Sequence, residues 1–421
     1  MHARPSRRLV ALPVLVAGIL VGCASTPDPA PTSVSITTVA TGVPNSAALL
    51  SDGSLYTWGS NGAGQLGDGT TTSRSTPTRV PGFPPSGTAI AQLAVGANHV
   101  AVLLDDGSLR AWGRNDFGQL GDGTTTTRTT PIAVPNFPPA NTTITAIAAG
   151  GLHSAALLDD GRLYTWGRND FGQLGDGTET SRSTPTLVPN FPLAGTTITT
   201  IALGHDNSAV LLDDGSVHTW GRNGFGQMGD GSNDTTPTPV RGFPPTGTTI
   251  TSLVAGGLHF AALLDDGSLH TWGYNAFGQL GDGSTTESDT PTGVPGFPPA
   301  GTTIAAIGTG YYHTAALLDD GTLRIWGFNG NGTLGDGTLV QRNVPTAVPN
   351  FPPPGTKVTA IALGGFHTFA LLDDQSLYAW GANYAGQLGD GTLVERTVPT
   401  RVPDFPPVGT ASTSAAWRVG R

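Results

Sequence analysis

Five histidines, His99, His153, His259, His313 and His367, share one recurrent position in the chain, and Asn45 and Asn207 occupy it elsewhere. Imidazoles bind metals and carry protons. Spread along a repeating chain, they serve one metal only if the repeats converge. Asn matches His as a hydrogen-bonding group, so the series reads as a repeated side chain bonding to a loop backbone. His205-Asp206 is an off-repeat pair and reads as a solvated loop. Paired carboxylates recur at Asp105-Asp106, Asp159-Asp160, Asp213-Asp214, Asp265-Asp266, Asp319-Asp320 and Asp373-Asp374. They read as hairpin turns, since no Asp-x-Asp-x-Asp loop with a distal Glu accompanies them. No Gly-x-Ser-x-Gly elbow or phosphate loop occurs. These patterns predict no catalytic residue, no metal site and no cofactor.

The one cysteine, Cys23, excludes an intramolecular disulfide. It follows Arg4, Arg7 and Arg8 and an apolar run from Leu9 to Val21, interrupted by Pro13 and short for a membrane span. Leu20-Val21-Gly22-Cys23 resembles the bacterial lipoprotein processing box. The resemblance implies a signal peptide over 1–22, lipid on the Cys23 sulfur and anchoring in the cell envelope, with Ala24 favouring an outer membrane where there are two. The Pro-, Ser- and Thr-rich residues that follow complete a tether over 23–33.

The elements behind the histidines are repeats. Trp-Gly recurs with Trp at 58, 112, 166, 220, 272, 326 and 380, a spacing of 54 residues that drops once to 52. One unit reads as a strand at 144–149, a second at Ser154 to Leu158, an Asp159-Asp160-Gly161 turn, a third strand ending at Trp166, a Gly-rich loop with Gly172-Gln173-Leu174-Gly175-Asp176-Gly177, and a short fourth strand at 186–188. Sixty-one glycines and 34 prolines supply the turns, and no long amphipathic helix appears. A four-stranded unit cannot bury both faces alone, whereas stacked copies can.

Gly-Gln-Leu-Gly-Asp-Gly, with Trp-Gly upstream and Gly-x-x-His before the second strand, resembles the repeat of the regulator of chromosome condensation family. The resemblance runs from about Val34 to Pro407 and implies an all-β, seven-bladed propeller over 34–410. Residues 411–421 form a tail in which Ala411 to Ala416 is a candidate closing strand; the alternative is that each unit makes one whole blade. Arg74, Arg128, Arg182, Arg342 and Arg396 hold one loop position and read as solvated or paired locally with Asp.

Strand alternation puts the first-to-second and third-to-fourth loops on one face, where the repeats differ most. Arg114, Arg168, Arg222, Tyr274 and Phe328 follow Trp-Gly. Asp116, Asp170 and Tyr384 come shortly after, and Tyr311, Tyr312 and Phe366 precede the His position. Aromatic residues and Arg characterise protein-binding surfaces. The reading is a non-enzymatic, monomeric, membrane-anchored scaffold that binds a protein through this face. Two alternatives stand beside it: an inhibitor of a secreted enzyme such as a β-lactamase, which the family resemblance suggests, and a cell-wall or glycan binder. A formal charge of -10 argues against nucleic acid.

Overall fold

A computed structural model describes residues 34–230 and 235–407. Seven antiparallel sheets follow one another along the chain, each four-stranded and each in sequence order. Blade 1 covers 36–79, blade 2 90–133, blade 3 144–187, blade 4 198–239, blade 5 250–293, blade 6 304–347 and blade 7 358–401. In blade 3 the strands are Ile144–Ala149, His153–Leu158, Leu163–Gly167 and Arg182–Leu187. Each unit is therefore one whole blade. The candidate closing strand at Ala411 to Ala416 lies outside the described residues, as do Cys23 and the segments 1–22 and 23–33.

Burial grades outward. The second strand is buried along its length in blade 3, while the fourth is half-buried to exposed. First strands of adjacent blades touch around the axis. Every hydrophobic cluster draws on two neighbouring blades, so the core is a set of seams. Leu103, Leu109 and Leu120 of blade 2 pack on Ile147, Leu158 and Trp166 of blade 3. Leu371, Leu377 and Leu388 of blade 7 pack on Ile36, Leu50 and Trp58 of blade 1. The seven Trp of the Trp-Gly pairs are at most 1% exposed. Burying each contributes about 5 kcal/mol as an upper bound.

The seams share one set of contacts, except that the Trp380 indole N–H has no acceptor. The phenylalanine of each Phe-Pro link lies against the next blade's Trp; Phe137 and Trp166 are edge to face at 5.9 Å, and Phe405 meets Trp58 likewise at 5.8 Å. The indole N–H of Trp166 donates to the Gln119 carbonyl at 3.0 Å, and that of Trp58 to the Gln387 carbonyl at 2.9 Å. Around the axis, the Gly151 amide donates to the Gly204 carbonyl at 3.0 Å and the Gly365 amide to the Gly42 carbonyl at 3.1 Å. The last of these joins blade 7 to blade 1. Glycine is required here by space: a Cβ on Gly150 would lie 2.5 Å from both the Gly204 carbonyl oxygen and the His153 ring.

The Gly-rich loop is held by a residue the sequence reading passed over. Asn169 donates to Asp176 Oδ1 at 3.1 Å and to the carbonyls of Thr178 and Thr180 at 2.9 and 3.2 Å, and its Oδ1 accepts the Leu174 amide at 2.9 Å. Asp176 also takes Arg182 at 2.8 Å. Of the two readings of these arginines, solvated or paired locally with Asp, the pairing is what the other four show too: Arg74–Asp68, Arg128–Asp122, Arg342–Asp336 and Arg396–Asp390.

Candidate protein-interaction face

The recurrent histidines are buried and point across the seams. His99 Nε2 lies 2.9 Å from Ser154 Oγ of the next blade, and His153, His259, His313 and His367 meet Ser208, Thr314, Thr368 and Ser46 in the same way. The expectation of a direct bond to loop backbone is corrected here: the hydroxyl stands between. Ser154 Oγ donates its one proton to the Gln119 carbonyl at 2.9 Å. His99 Nε2 must therefore carry hydrogen and donate to the hydroxyl oxygen. Burial pushes its pKa down to about 4 and those of His153, His259, His313 and His367 to about 3. Five rings spread over the seams cannot gather on one ion, and among the described residues no group of three or more His, Cys, Asp or Glu is arranged to hold a metal.

The loops on the varied face present a continuous array. Arg168 lies over Phe117 of blade 2 and Phe171 of its own blade, both at 5.3 Å. Arg222 lies over Phe171 at 5.1 Å and Phe225 at 5.6 Å. Phe225 then meets Tyr274 at 4.7 Å, Tyr274 meets Tyr312 at 5.6 Å, and Phe277 meets Phe328 at 5.1 Å. Phe328 meets Phe366 at 5.6 Å, and Tyr311 stacks on Phe366 at 6.0 Å. The chain of contacts crosses from blade 2 to blade 7. Its links alternate between blades because each blade places one side chain after Trp-Gly and another three residues later, and adjacent loops interleave them.

The array has a cationic end and an aromatic end. Arg114 pairs with exposed Asp116 at 2.7 Å, and Arg168 with exposed Asp170 at 2.8 Å. Asp206 is buried between Arg168 at 3.3 Å, Arg222 at 3.5 Å and His205 Nδ1 at 3.0 Å. Burial opposes its ionisation, but His205 and Arg168 outweigh it and hold the carboxyl below its usual range. The His205-Asp206 pair, read from sequence as a solvated loop, is thus the fixed post that orients two arginines. At the other end burial pushes the Tyr311 hydroxyl up to about 12 and also raises that of Tyr312. Both are neutral phenols at physiological pH. Tyr384 stands apart, 57% exposed, and among the described residues no ring joins it.

At the centre of this face a cavity of about 100 Å³ opens on the axis, walled by glycines. His205, Tyr311 and Val43 close over it, each lying against a glycine of the neighbouring blade, Gly151, Gly257 and Gly365.

Of the proposed partner-binding residues, the structure brings together Arg168, Arg222, Tyr274, Tyr311, Tyr312, Phe328 and Phe366, with Asp170 on the flank. Arg114 with Asp116 lies at the blade 2 end of the array, on the loop that carries Phe117. Phe117, Phe171, Phe225 and Phe277 belong to the array as well; their recurrence hid that they touch the next blade's loop.

Residues 136–419 match the model described as the RCC1-like domain, and 52–103 and 106–157 match that of the regulator of chromosome condensation (RCC1) repeat. The chain is 32% identical over 362 residues to the ultraviolet-B receptor UVR8 of Arabidopsis thaliana, covering 86% of this chain and 80% of that one. It is 33% identical to the E3 ubiquitin-protein ligase HERC2 of Homo sapiens, over 77% of this chain but 7% of that protein. The crystal structure of Prp20p from Saccharomyces cerevisiae, described with its binding properties to Gsp1p and histones, superposes with a TM-score of 0.72 at 25% identity, covering 89% of this chain and 87% of that one. Repeat, blade and ring together make this chain a member of the RCC1-like domain family, a family of protein-interaction propellers.

Proposed function

We propose that the protein is a non-enzymatic binding scaffold held in the cell envelope by lipid on Cys23, and that it takes its protein partner on the loop face. The observation that carries this is the unbroken array from Phe117 to Phe366, half-buried and open to solvent on one side. Arg and aromatic side chains that already pack on one another lose little conformational freedom on binding, which favours affinity. A partner with an acidic edge beside an apolar ridge complements the two ends of the array. Prp20p, which binds proteins, shares the ring, and this supports a protein partner.

The test is capture from envelope and secreted extracts on the chain immobilised through its N-terminus. A variant carrying Tyr274→Ala, Tyr312→Ala, Phe328→Ala and Phe366→Ala, with its thermal unfolding checked, serves as control. A protein retained by the parent and lost from the variant supports the reading, and if that protein is a hydrolase whose turnover falls on addition of the chain, the role is inhibition. Equal retention by both removes the array from the binding site. Recovery of the Cys23→Ser variant in the soluble fraction, with the parent in the membrane fraction, tests the anchor separately.

A further inference from the structure

The outer rim is not the same on all blades. In blades 1, 2, 3 and 5 the tip of the long loop carries Thr71-Thr72, Thr125-Thr126, Glu179-Thr180 and Thr285-Thr286. Blades 6 and 7 carry Leu339-Val340 and Leu393-Val394 at those positions. The fourth strand repeats the contrast: Thr76, Thr130, Thr184 and Thr290 become Val344 and Val398. These six aliphatic side chains are 48% to 61% exposed, and they are six of the nine exposed large hydrophobics among the described residues. Of the rest, Leu187 ends blade 3 and Leu193 lies in the link from blade 3 to blade 4, on the opposite side of the ring, and Tyr384 is on the loop face.

The six lie on two adjacent blades. The Gly337 amide of the blade 6 loop donates to the Thr397 carbonyl of blade 7 at 2.8 Å, which seats the loop that carries Leu339-Val340 on the strand that carries Val398, with Gly337 bordering Val398 itself. Asn331 of blade 6 bonds Glu395 of blade 7 at 2.7 Å across the same gap. Gly283 of blade 5 donates to the Asn343 carbonyl at 2.9 Å and borders Val344 on the other side.

We propose that this rim rests on a lipid bilayer and sets the disc edge-on to it, a reading that rests on the membrane attachment proposed above. Four properties of the patch favour a bilayer. Its members are Leu and Val, which partition into lipid without directional bonds. Its area, a few hundred Å², falls short of the ~800 Å² per partner of a stable protein pair, whereas membrane contact has no such minimum once a tether supplies high effective concentration. Strand addition by a partner is blocked, because the fourth strands carry Pro345 and Pro399 and Pro lacks the amide that pairing needs. Finally, the chain enters the ring in the same sector, at the seam of blades 7 and 1: Val34 packs into that seam and the Ile36 amide bonds Gln375 of blade 7 at 3.2 Å, on the face away from the loop tips. The ten residues between Cys23 and Val34 span at most about 36 Å. A net charge of -10 gives no attraction to anionic headgroups, so the contact is apolar and insensitive to salt.

The experiment uses the mature chain with Cys23→Ser and an N-terminal hexahistidine tag on phosphatidylcholine vesicles doped with nickel-chelating lipid. The seven sheets and the closing seam all lie within 34–407, so this chain holds the complete ring. Cys23→Ser leaves the chain free of thiols, and Val340→Cys then accepts an environment-sensitive dye at one position. Thr126→Cys, the same loop position in blade 2, is the control. The expected result is a blue-shifted emission at 340, quenched several-fold more by a lipid-borne quencher than at 126, and unchanged by added salt. Leu339→Thr with Leu393→Thr and Val394→Thr, the residue type of the other blades, removes the difference. Equal emission and quenching at 340 and 126 overturns the proposal. Because the tag replaces the lipid, this outcome is independent of whether Cys23 is acylated.

Discussion

His99 Nε2 and Ser154 Oγ, 55 residues apart, lie 2.9 Å from each other across a seam, and the pairing has a counterpart in the sequence. Wherever the next blade offers a hydroxyl, Ser46, Ser154, Ser208, Thr314 or Thr368, the preceding blade offers His. The two blades that offer Val100 and Phe260 are preceded by Asn45 and Asn207. In both exceptions side-chain atoms of the Asn are buried without a hydrogen-bond partner. The pair is therefore one unit divided between blades. Asn45→His with Val100→Ser is expected to be more stable than the sum of the two single changes by roughly 1 kcal/mol. A double-mutant cycle by urea unfolding measures it, and additive single changes would contradict the pairing.

Acid should open these seams. The five histidines titrate near 6.5 when unfolded and at about 3 to 4 when folded, mainly because burial disfavours the charged form. The neutral ring is the folded form, so its contribution to stability is complete above pH 6.5 and is lost as pH falls towards 3 to 4. Each histidine costs about 1.4 kcal/mol per pH unit over that range. Unfolding free energy measured between pH 7 and 5 should fall with a slope of several protons. A flat profile over that interval would refute the assignment.

One seam lacks a bond that the other six have. Trp380 Nε1 is buried with no acceptor, and Thr333 stands where the other blades have Gln. In those blades the Gln side chain fixes its loop by accepting a backbone amide, as Gln119 Oε1 does from Phe117 at 3.0 Å, and its carbonyl then faces the indole. Thr333→Gln should raise stability by roughly 0.5–1.5 kcal/mol. The expected readout is a higher melting temperature together with protection of the Trp380 indole proton from exchange.

Asn169 and Arg182 both bond Asp176, and they should differ sharply when removed. Asn169 is fully buried and serves three acceptors and one amide. Asn169→Ala leaves the Leu174 amide and the Thr178 and Thr180 carbonyls without this partner and should cost about 2–3 kcal/mol. The Arg182 side chain is 35% exposed, so solvent screens its pair, and Arg182→Ala should cost at most about 1 kcal/mol. Thermal unfolding of the two variants side by side decides the order.

The ring was legible because its period is marked by residues with no freedom to drift. Trp166 must fill one seam, and Gly121, at φ 73° with its Cβ position 2.9 Å from the Trp166 indole nitrogen, admits no side chain. The array on the loop face was only half legible. Residue type singled out Arg168, Tyr274, Phe328 and Phe366, but their linkage depends on how far one blade's loop reaches over the next. Phe171 looked structural because it recurs, yet Arg168 and Arg222 both lie over it. Asp206 reads from sequence as part of a solvated loop, because His205 is the only titratable group beside it in the chain. Its role as the anion between two arginines appears only when blades 3 and 4 are side by side. The His–hydroxyl pairs were legible in principle, since aligning each unit with its successor exposes them.

Every sheet is drawn from one unbroken stretch of chain, and the contact that joins blade 7 to blade 1 repeats those within the chain. The ring therefore has no privileged starting point. Joining the two ends by a linker and cutting the exposed connection at 140–141, or the equivalent connection elsewhere, exchanges one seam of noncovalent contacts for another of the same composition. Such rearranged chains should close into the same disc, and the blade at which the chain enters the ring becomes a choice of where it is cut.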